Sequence, residues 1–211
     1  MMGRSDVCVV DEPDRAHALI ENGGVLVRHF LRMVLDLTSA LPDAPLPGGY
    51  GLEPMTITLS SEYAEVASRS YSSDHVDHQP EDDDPVATAR TIETYIRGEE
   101  PGAWIPEASW HVLLANRRVA GAIVVSELAR DGDDIAGPWI TDIFVEPSLS
   151  GQGLGAALIS RAAHELARTG RLALGLAVTV GNPARRVYER LGFEIKHENW
   201  RIGFPSNERP F

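Results

Sequence analysis

The feature that most constrains the fold is a glycine-rich turn set between a short apolar segment and an amphipathic helix. Residues 139–145 are rich in β-branched and aromatic side chains, which is typical of a strand. After glycines at 151, 153 and 155, apolar residues recur at four-residue spacing up to Gly170, which predicts a helix with one buried face. Residues 172–180 are almost continuously apolar, as expected of a strand buried on both faces. Strand, helix and strand in this order predict a parallel crossover and an α/β fold.

The elements predicted around this crossover complete a mixed sheet. Their order over residues 50–204 is strand, two helices, three strands, glycine turn, helix, strand, helix and final strands. The other predicted strands are 50–59, 110–115, 119–128 and 193–204, and the other predicted helices are 62–71, 86–98 and 183–191, the last capped by Asn182. Residues 49–211 are therefore predicted to form one α/β domain, a central mixed sheet flanked by helices.

The first 48 residues resemble the end of the same chain. When their numbering is shifted by 169, the apolar run 7–10 falls on 176–179, residues 14–22 fall on the predicted helix 183–191, and residues 31–33 fall on 200–202. We therefore predict that residues 1–48 are a truncated strand, helix and strand unit. Apolar residues alternate along the chain over 31–37, which favours a strand there. The spacing of Leu26, Phe30, Val34 and Leu37 would also place them on one face of a helix.

Such a unit cannot bury its own apolar face, so it must dock on the domain or on another subunit. Three arrangements stay open: an extension of the sheet, a cover over its edge, or a homodimer contact.

Charge and composition exclude several classes of protein. The net charge is −12, but residues 1–150 carry −16 while residues 151–211 carry +4. This balance argues against nonspecific nucleic-acid binding and favours a cationic partner for the first part. No stretch approaches the roughly 20 apolar residues of a membrane span, and the acidic N-terminus does not resemble a secretion signal, so we expect a cytoplasmic protein. The single cysteine, Cys8, lies in an apolar run and is expected to be buried.

The glycine turn, residues 150–156, has the chemistry of a phosphate site. Backbone N–H groups at a helix N-terminus attract anions, and glycines let a ligand approach closely. Gly151, Gly153 and Ala156 fit a dinucleotide fingerprint, but that class needs an acidic residue about 20 positions onward, and residues 166–188 contain none. A Walker loop would need a following Gly-Lys-Ser/Thr, which is absent. A plain connector is the remaining alternative.

Two longer strings of sequence favour one interpretation. Residues 143–158 (IFVEPSLSGQGLGAAL) followed by 180–193 (VGNPARRVYERLGF) resemble the GNAT acetyltransferase family. The resemblance covers roughly residues 49–204 and implies the GNAT acyl-CoA N-acyltransferase fold with acetyl-CoA as co-substrate.

The resemblance also implies roles for particular residues. The glycine turn would hold the pyrophosphate of acetyl-CoA, and the strand before it would pair with the pantetheine arm. The implied cofactor-binding residues are Ile143, Phe144, Val145, Gly151, Gln152, Gly153, Leu154, Gly155, Ala156 and Asn182. Tyr188 would protonate the departing thiolate, for which a phenol of ordinary pKa about 10 is a competent donor.

Two positions depart from the family pattern. Ser150 stands where the family usually has Arg or Gln, so one phosphate contact is weaker or comes from Gln152. Asn182 precedes Tyr188 by six residues, one fewer than is commonest in the family.

Transfer to an amine also requires a group that removes a proton from the acceptor. Asp142 is the candidate base, with Glu146 as second choice; strand alternation would place Asp142 on the same face as Ile140 and Phe144. Residues 74–84 hold six acidic side chains and no Lys or Arg. Two interpretations stay open: a flexible solvated loop, or a segment that attracts a cationic amine. Asp74, His75, Asp77 and His78 have metal-ligand chemistry, but an acidic loop with two histidines is usually only that, and no metal site is predicted.

The sequence thus predicts an N-acetyltransferase that moves an acetyl group from acetyl-CoA to a primary amine of a small molecule or peptide. The alternative is a non-catalytic acyl-CoA-binding or sensing module.

Overall fold

A computed structural model describes residues 5–128 and 137–204 and places all of their strands in a single mixed sheet. The strands are β1 (Ser5–Val10), β2 (Val25–Asp36), β3 (Gly51–Pro54), β4 (Trp110–Leu113), β5 (Val119–Leu128), β6 (Gly137–Val145), β7 (Ala173–Thr179) and β8 (Glu194–Phe204). The α-helices are α1 (Pro13–Glu21), α2 (Ser60–Ser70), α3 (Pro85–Ile96), α4 (Leu154–Arg168) and α5 (Arg185–Arg190). The strand order is β1-β8-β2-β7-β6-β5-β4-β3.

The parallel crossover predicted from the glycine turn is confirmed. β6 and β7 are parallel neighbours joined through α4, and the other neighbouring strands pair antiparallel. The apolar stripe of α4 is fully buried, with Leu154, Leu158, Ala162 and Leu166 each 1% exposed or less. Burial of each leucine contributes roughly 2 kcal/mol, which fixes the helix on the sheet.

Two apolar cores lie on opposite faces of the sheet. One lies under α4 and α5 and includes Ile140 and Tyr188. The other lies under α2 and α3 and includes Tyr63 and Phe144. Helices on both faces of β6 explain why this strand and its neighbours are largely apolar.

Several predicted boundaries differ from the structure. The first strand of the domain is only β3, because Thr56 caps a 3-10 turn through the Thr58 N–H. The helix predicted from residue 183 begins at Arg185, since Asn182 and its neighbours form a separate turn. The expectation for Cys8 was wrong: β1 is an edge strand, and the thiol lies on its exposed side.

The N-terminal unit is an integral part of the sheet. The segment around residue 31 is a strand, as alternation predicted, and β2 lies between β7 and β8 while β1 pairs with the outer side of β8. Ala16 of α1 packs in a small core with Trp200 and Ile202. The unit therefore buries its apolar face on the same chain.

The registers of these strands follow the shift of 169 seen in the sequence. Phe30 pairs with Asn199, two positions that differ by 169, so a local two-fold axis passes between them. The remaining pairs exchange under the shift: His29↔Trp200 with Leu31↔Glu198, Arg28↔Arg201 with Arg32↔His197, and Leu26↔Ile202 with Met33↔Ile195. Pairs of β1 with β8 map in the same way onto pairs of β2 with β7, for example Val9↔Trp200 onto Leu31↔Val178.

In the ranges 5–128 and 137–204 no helix has the length and apolar character needed to cross a membrane.

Candidate active site

The candidate site is a cleft that opens where β6 and β7 separate. In the described strands the two are paired through Trp139 and Gly175, near the start of both. Beyond this pair, β6 stays paired with β5 up to Val145 and β7 stays paired with β2 up to Thr179, but the described parts of β6 and β7 do not pair with each other. Their carboxyl ends therefore diverge, which is the edge where parallel strands of α/β proteins offer binding sites.

The β6 backbone lines one side of this cleft. The Glu146 N–H donates to the Ala120 carbonyl at 2.8 Å, which sets the antiparallel hydrogen-bond alternation along β5 and β6. By that alternation the main-chain groups of Phe144 face β5, whereas those of Ile143 and Val145 face the cleft. Of the three β6 residues implied for pantetheine pairing, Ile143 and Val145 have the matching orientation.

A bulge in β6 sets the direction of Asp142. The register slips between the pairs Val124↔Asp142 and Val125↔Ile140, which leaves Thr141 as the extra residue. Asp142 and Phe144 consequently face α2 and α3, while Ile140 packs in the core under α4. The expectation that Asp142 shares a face with Ile140 was wrong, because simple alternation ignores the bulge.

Asp142 meets Tyr71, a residue that the sequence did not single out. The Tyr71 hydroxyl donates to Asp142 Oδ1 at 2.6 Å and lies 3.1 Å from the Ile143 carbonyl oxygen. Burial raises the pKa of Asp142 to about 6, partly opposed by hydrogen bonds from Tyr71 and the Ile143 N–H and reinforced by Asp82 and Asp77. The carboxyl can therefore exchange a proton near neutral pH, as a general base requires.

Tyr188 lies on α5, 8% exposed, with its ring 5.9 Å from that of Phe193. Burial raises the pKa of its hydroxyl, and the charges of Asp77 and Asp142 raise the pKa further. The phenol is thus held in its protonated form, which is the form that an acid needs.

Asn182 is hydrogen-bonded to Asp77 in the acidic segment, residues 74–84. Its Oδ1 accepts from the Ala184 N–H at 2.8 Å, which closes the turn before α5, and its Nδ2 donates to Asp77 Oδ2 at 2.8 Å. Asp77 Oδ1 also accepts hydrogen bonds from Thr179 Oγ1 and from Arg28 Nη2. The loop that begins at Tyr71 is therefore held on both strands: at β6 through Tyr71 and at the end of β7 through Asp77.

The glycine loop closes the other end of the cleft. Gly151 and Gly153 have φ values of +77° and +88°, a left-handed backbone that favours glycine. A Cβ on Gly155 would lie 3.9 Å from Val145 Cγ2, so α4 begins directly beside the end of β6. The first N–H groups of an α-helix have no acceptor within the helix, so the N-terminus of α4 can bind an anion. Gln152, exposed in the same loop, accepts a hydrogen bond from Tyr50 Oη at 2.7 Å.

Two carboxylates of the acidic segment stabilise local backbone structure. Asp84 Oδ1 caps α3 by accepting from the Val86 N–H, and Asp82 Oδ2 accepts from the Gln79 N–H. Asp74 and Asp83 remain exposed. Glu146, the second candidate base, is paired with Arg69 at 2.8 Å. In the described part of the chain no three His, Cys, Asp or Glu side chains are grouped to hold a metal.

Comparisons with known proteins agree with this geometry. Residues 106–195 match the sequence model of the acetyltransferase (GNAT) domain, which spans β4 to the start of β8. No curated protein matches the chain.

Solved structures extend the likeness to nearly the whole chain. A GCN5-related N-acetyltransferase from Sphaerobacter thermophilus has a TM-score of 0.67 at 19% identity over 99% of this chain and 62% of its own. A GCN5-related N-acetyltransferase from Kribbella flavida has a TM-score of 0.58 at 21% identity and is matched over 95% of this chain and 68% of its own. A tandem GNAT protein from the clavulanic acid biosynthesis pathway has a TM-score of 0.66 at 17% identity and is matched over 97% of this chain and 65% of its own. Residues 106–195 therefore resemble the GNAT acetyltransferase domain in sequence, and the described part of the chain has the GNAT fold. The chain spans 62% of the length of the Sphaerobacter protein, slightly less than two thirds.

Proposed function

We propose that this protein binds acetyl-CoA in the cleft between β6 and β7 and transfers the acetyl group to a primary amine. The observation that carries the proposal is the convergence of unlike groups on one cleft: a phosphate-type loop, strand backbone that does not pair with β7, a carboxyl with a pKa of about 6, and a protonated phenol. Acyl transfer needs an anion site, a base and an acid together, and no simpler role needs all three.

The predicted cofactor residues divide by the part of acetyl-CoA that each suits. The loop and first helical turn, residues 151–156, suit the pyrophosphate through backbone N–H groups. Ile143 and Val145 suit the amides of the pantetheine arm, which would pair with β6 as a further strand. Gln152, positioned by Tyr50, supplies the side-chain contact that Ser150 is too short to make.

The proposed reaction uses the two ionisable groups in sequence. Asp142 removes a proton from the acceptor ammonium, and the neutral amine attacks the thioester carbonyl. As the carbon–sulfur bond breaks, Tyr188 donates its proton to the thiolate. The attacking nitrogen still carries two protons, loses one of them to water and keeps the other in the new amide. Asp142 and Tyr188 return to their starting forms by proton exchange with water. The products are the N-acetylated amine and free CoA.

A cationic acceptor is supported by the charges around Asp142. Asp77 and Asp82 both raise the pKa of Asp142, which shows that their field reaches the base. Asp74 and Asp83 are exposed beside them and take no part in capping helices. Neutralising both as Asp74→Asn and Asp83→Asn should weaken the salt dependence of KM for a polyamine acceptor. An unchanged salt dependence would show that these charges do not attract the substrate.

The sensing alternative is favoured by one observation. The Ile143 carbonyl and the Asn182 amide already have partners in Tyr71 and Asp77, so binding of acetyl-CoA would have to displace them. A thiol-release assay with acetyl-CoA and a panel of amines decides between the two functions. Release of CoA that depends on the amine and is lost in Tyr188→Phe supports the enzyme; binding without release supports the sensor.

The N-terminal 48 residues are best explained as a copy of the unit that ends the domain. The support is the shift of 169, which relates both the sequence pattern and the strand registers. A homodimer stays a prediction, for which the outer edge of β1 is the candidate contact; sedimentation of the full chain would test it.

A further inference from the structure

The N-terminal unit reaches the candidate active site through one side chain. Arg28 lies on β2 and its guanidinium is 5.0 Å from the centre of the Phe30 ring. Its Nε donates to Thr179 Oγ1 at 2.8 Å, and its Nη2 donates to Asp77 Oδ1 at 3.1 Å. The two donor nitrogens of the guanidinium thus link the end of β7 to the acidic segment.

Asp77 accepts the hydrogen bond from Arg28, and the positive charge of Arg28 stabilises its carboxylate. The Asp77 side chain is 19% exposed, and in the described residues the side chains of Thr179 and Asn182, which also donate to its carboxylate, are neutral. A carboxylate with little access to water is stabilised far better by a charged donor than by neutral ones. Removal of Arg28 would therefore loosen the attachment of Asp77 to the end of β7.

The attachment matters because the segment bridges the cleft. Tyr71 at its start contacts Asp142 and the Ile143 carbonyl on β6, and Asp77 contacts Thr179 and Asn182 beside β7. Within residues 71–78, the Asp77 N–H donates to His75 Nδ1 and His78 Nδ1 is hydrogen-bonded to the Tyr71 carbonyl, so these residues form a short folded unit.

We propose that Arg28 is a positioning residue of the acetyl-transfer site. It fixes Asp77, and through Asp77 it holds residues 71–78 and the Asn182 amide across the mouth of the cleft. The N-terminal unit thereby completes the acceptor side of the site in addition to the sheet. This inference rests on the proposed function for its effect on catalysis, but its structural part stands without it.

The structural part is tested by amide hydrogen exchange on the full chain without ligand. Arg28→Met removes the guanidinium and keeps an aliphatic stem beside Phe30. Arg15→Met, on exposed α1 of the same unit, removes the same charge and breaks only a surface pair with Glu12. Exchange in peptides covering residues 71–79 should rise by about tenfold in Arg28→Met and stay unchanged in Arg15→Met. Equal protection in wild type and Arg28→Met would overturn the proposal.

The catalytic part is tested by a double-mutant cycle with Asp77→Ala. If Arg28 acts through Asp77, the two single variants raise the KM for the amine, and the double variant is no worse than the worse single one. Arg28→Lys, which keeps the charge but loses one of the two donor nitrogens, should fall between wild type and Arg28→Met. Additive effects would overturn the role through Asp77. Failure of the wild type to bind acetyl-CoA would instead contradict the proposed function, and the exchange result would be unaffected.

Discussion

At the scale of single residues, the chemistry depends on the surroundings of Asp142. A carboxylate on a surface strand would have an ordinary pKa and would be a weak base. Here burial raises its pKa to about 6, the charges of two further aspartates act in the same direction, and the hydrogen bond from Tyr71 opposes the rise. The residue type is visible in the sequence, but the property that makes it a base comes from residues about 70 positions away.

The first prediction concerns the pH dependence of the reaction. Because Asp142 must be ionised to accept a proton, kcat/KM should rise with pH through about 6 and level off above it. Asp142→Asn should lower kcat/KM by about 10²-fold or more and abolish this rise with pH. The matched control is Glu146→Gln, in which the rise should remain. A rise near pH 6 that persists in Asp142→Asn would assign the base to another group.

The same carboxyl predicts a change in stability. The folded pKa of about 6 exceeds the ordinary value of 3.8, so folding favours the protonated form. This contribution is present at acidic pH and is lost as pH rises through about 6. Asp142→Asn, which keeps an acceptor for Tyr71, should therefore gain in Tm relative to wild type on going from pH 5 to pH 8, as calorimetry can measure. A loss of relative stability over that interval would contradict the burial of the charge.

Tyr188 should act only on turnover. Tyr188→Phe keeps the ring that packs against Phe193 and removes the acid, so kcat should fall by about 10²-fold or more with little change in the acetyl-CoA Kd. Tyr63→Phe, in the core on the other face of the sheet, is the control and should keep kcat. Equal losses in the two variants would point to packing instead of proton donation.

At the scale of secondary-structure elements, the sequence predicted whether a segment is a helix or a strand better than it predicted where the element begins and ends. Helix α4 and strand β7 were predictable because their apolar patterns are long and regular. The bulge at Thr141 was not, since it depends on how β6 meets β5 and leaves no mark in the alternation. The late start of α5 has a similar cause: Asn182 was recognised as a cap, but its partner is the Ala184 N–H of a turn that precedes the helix.

The glycine loop allows a controlled comparison between two glycines. Gly151 and Gly170 have nearly the same φ, +77° and +79°, and a Cβ at either would meet no atom within 4 Å. Alanine at either position should thus cost a similar amount, roughly 1–2 kcal/mol, and lower Tm by a few degrees. Only Gly151→Ala places a methyl group where the phosphate would lie, so only this variant should weaken acetyl-CoA binding in calorimetric titration. Equal affinities would remove the loop from the binding site.

At the scale of the whole molecule, the sequence predicted the strand, helix and strand of the N-terminal unit but not their place in the sheet. The shift of 169 is a property of the sequence, whereas the insertion of β2 between β7 and β8 depends on pairing with strands about 140 to 180 residues away. Such pairing is set by packing of the assembled sheet, which no local pattern records. The same reason explains why Arg28 could not be linked to Asp77 or Thr179 in advance.

The position of β2 predicts the outcome of two deletions. Removal of residues 1–11 takes away only the edge strand β1, and the chain should still fold with a lower Tm. Removal of residues 1–36 also takes away β2, which pairs with both β7 and β8, and the chain should lose its cooperative unfolding transition. Co-expression of residues 1–48 with 49–211 should restore a complex that purifies together. A folded, cooperative fragment 37–211 would show that β2 is dispensable.

Thermal unfolding with and without ligand measures whether the cleft between β6 and β7 binds acetyl-CoA. A ligand that binds only the folded state at 100 times its Kd stabilises by about 2.7 kcal/mol. We expect acetyl-CoA and free CoA to raise Tm by several degrees, NAD to leave it unchanged, and Gly151→Ala to lose the shift that Gly170→Ala keeps. No shift with acetyl-CoA at millimolar concentration, or an equal shift with NAD, would contradict the account.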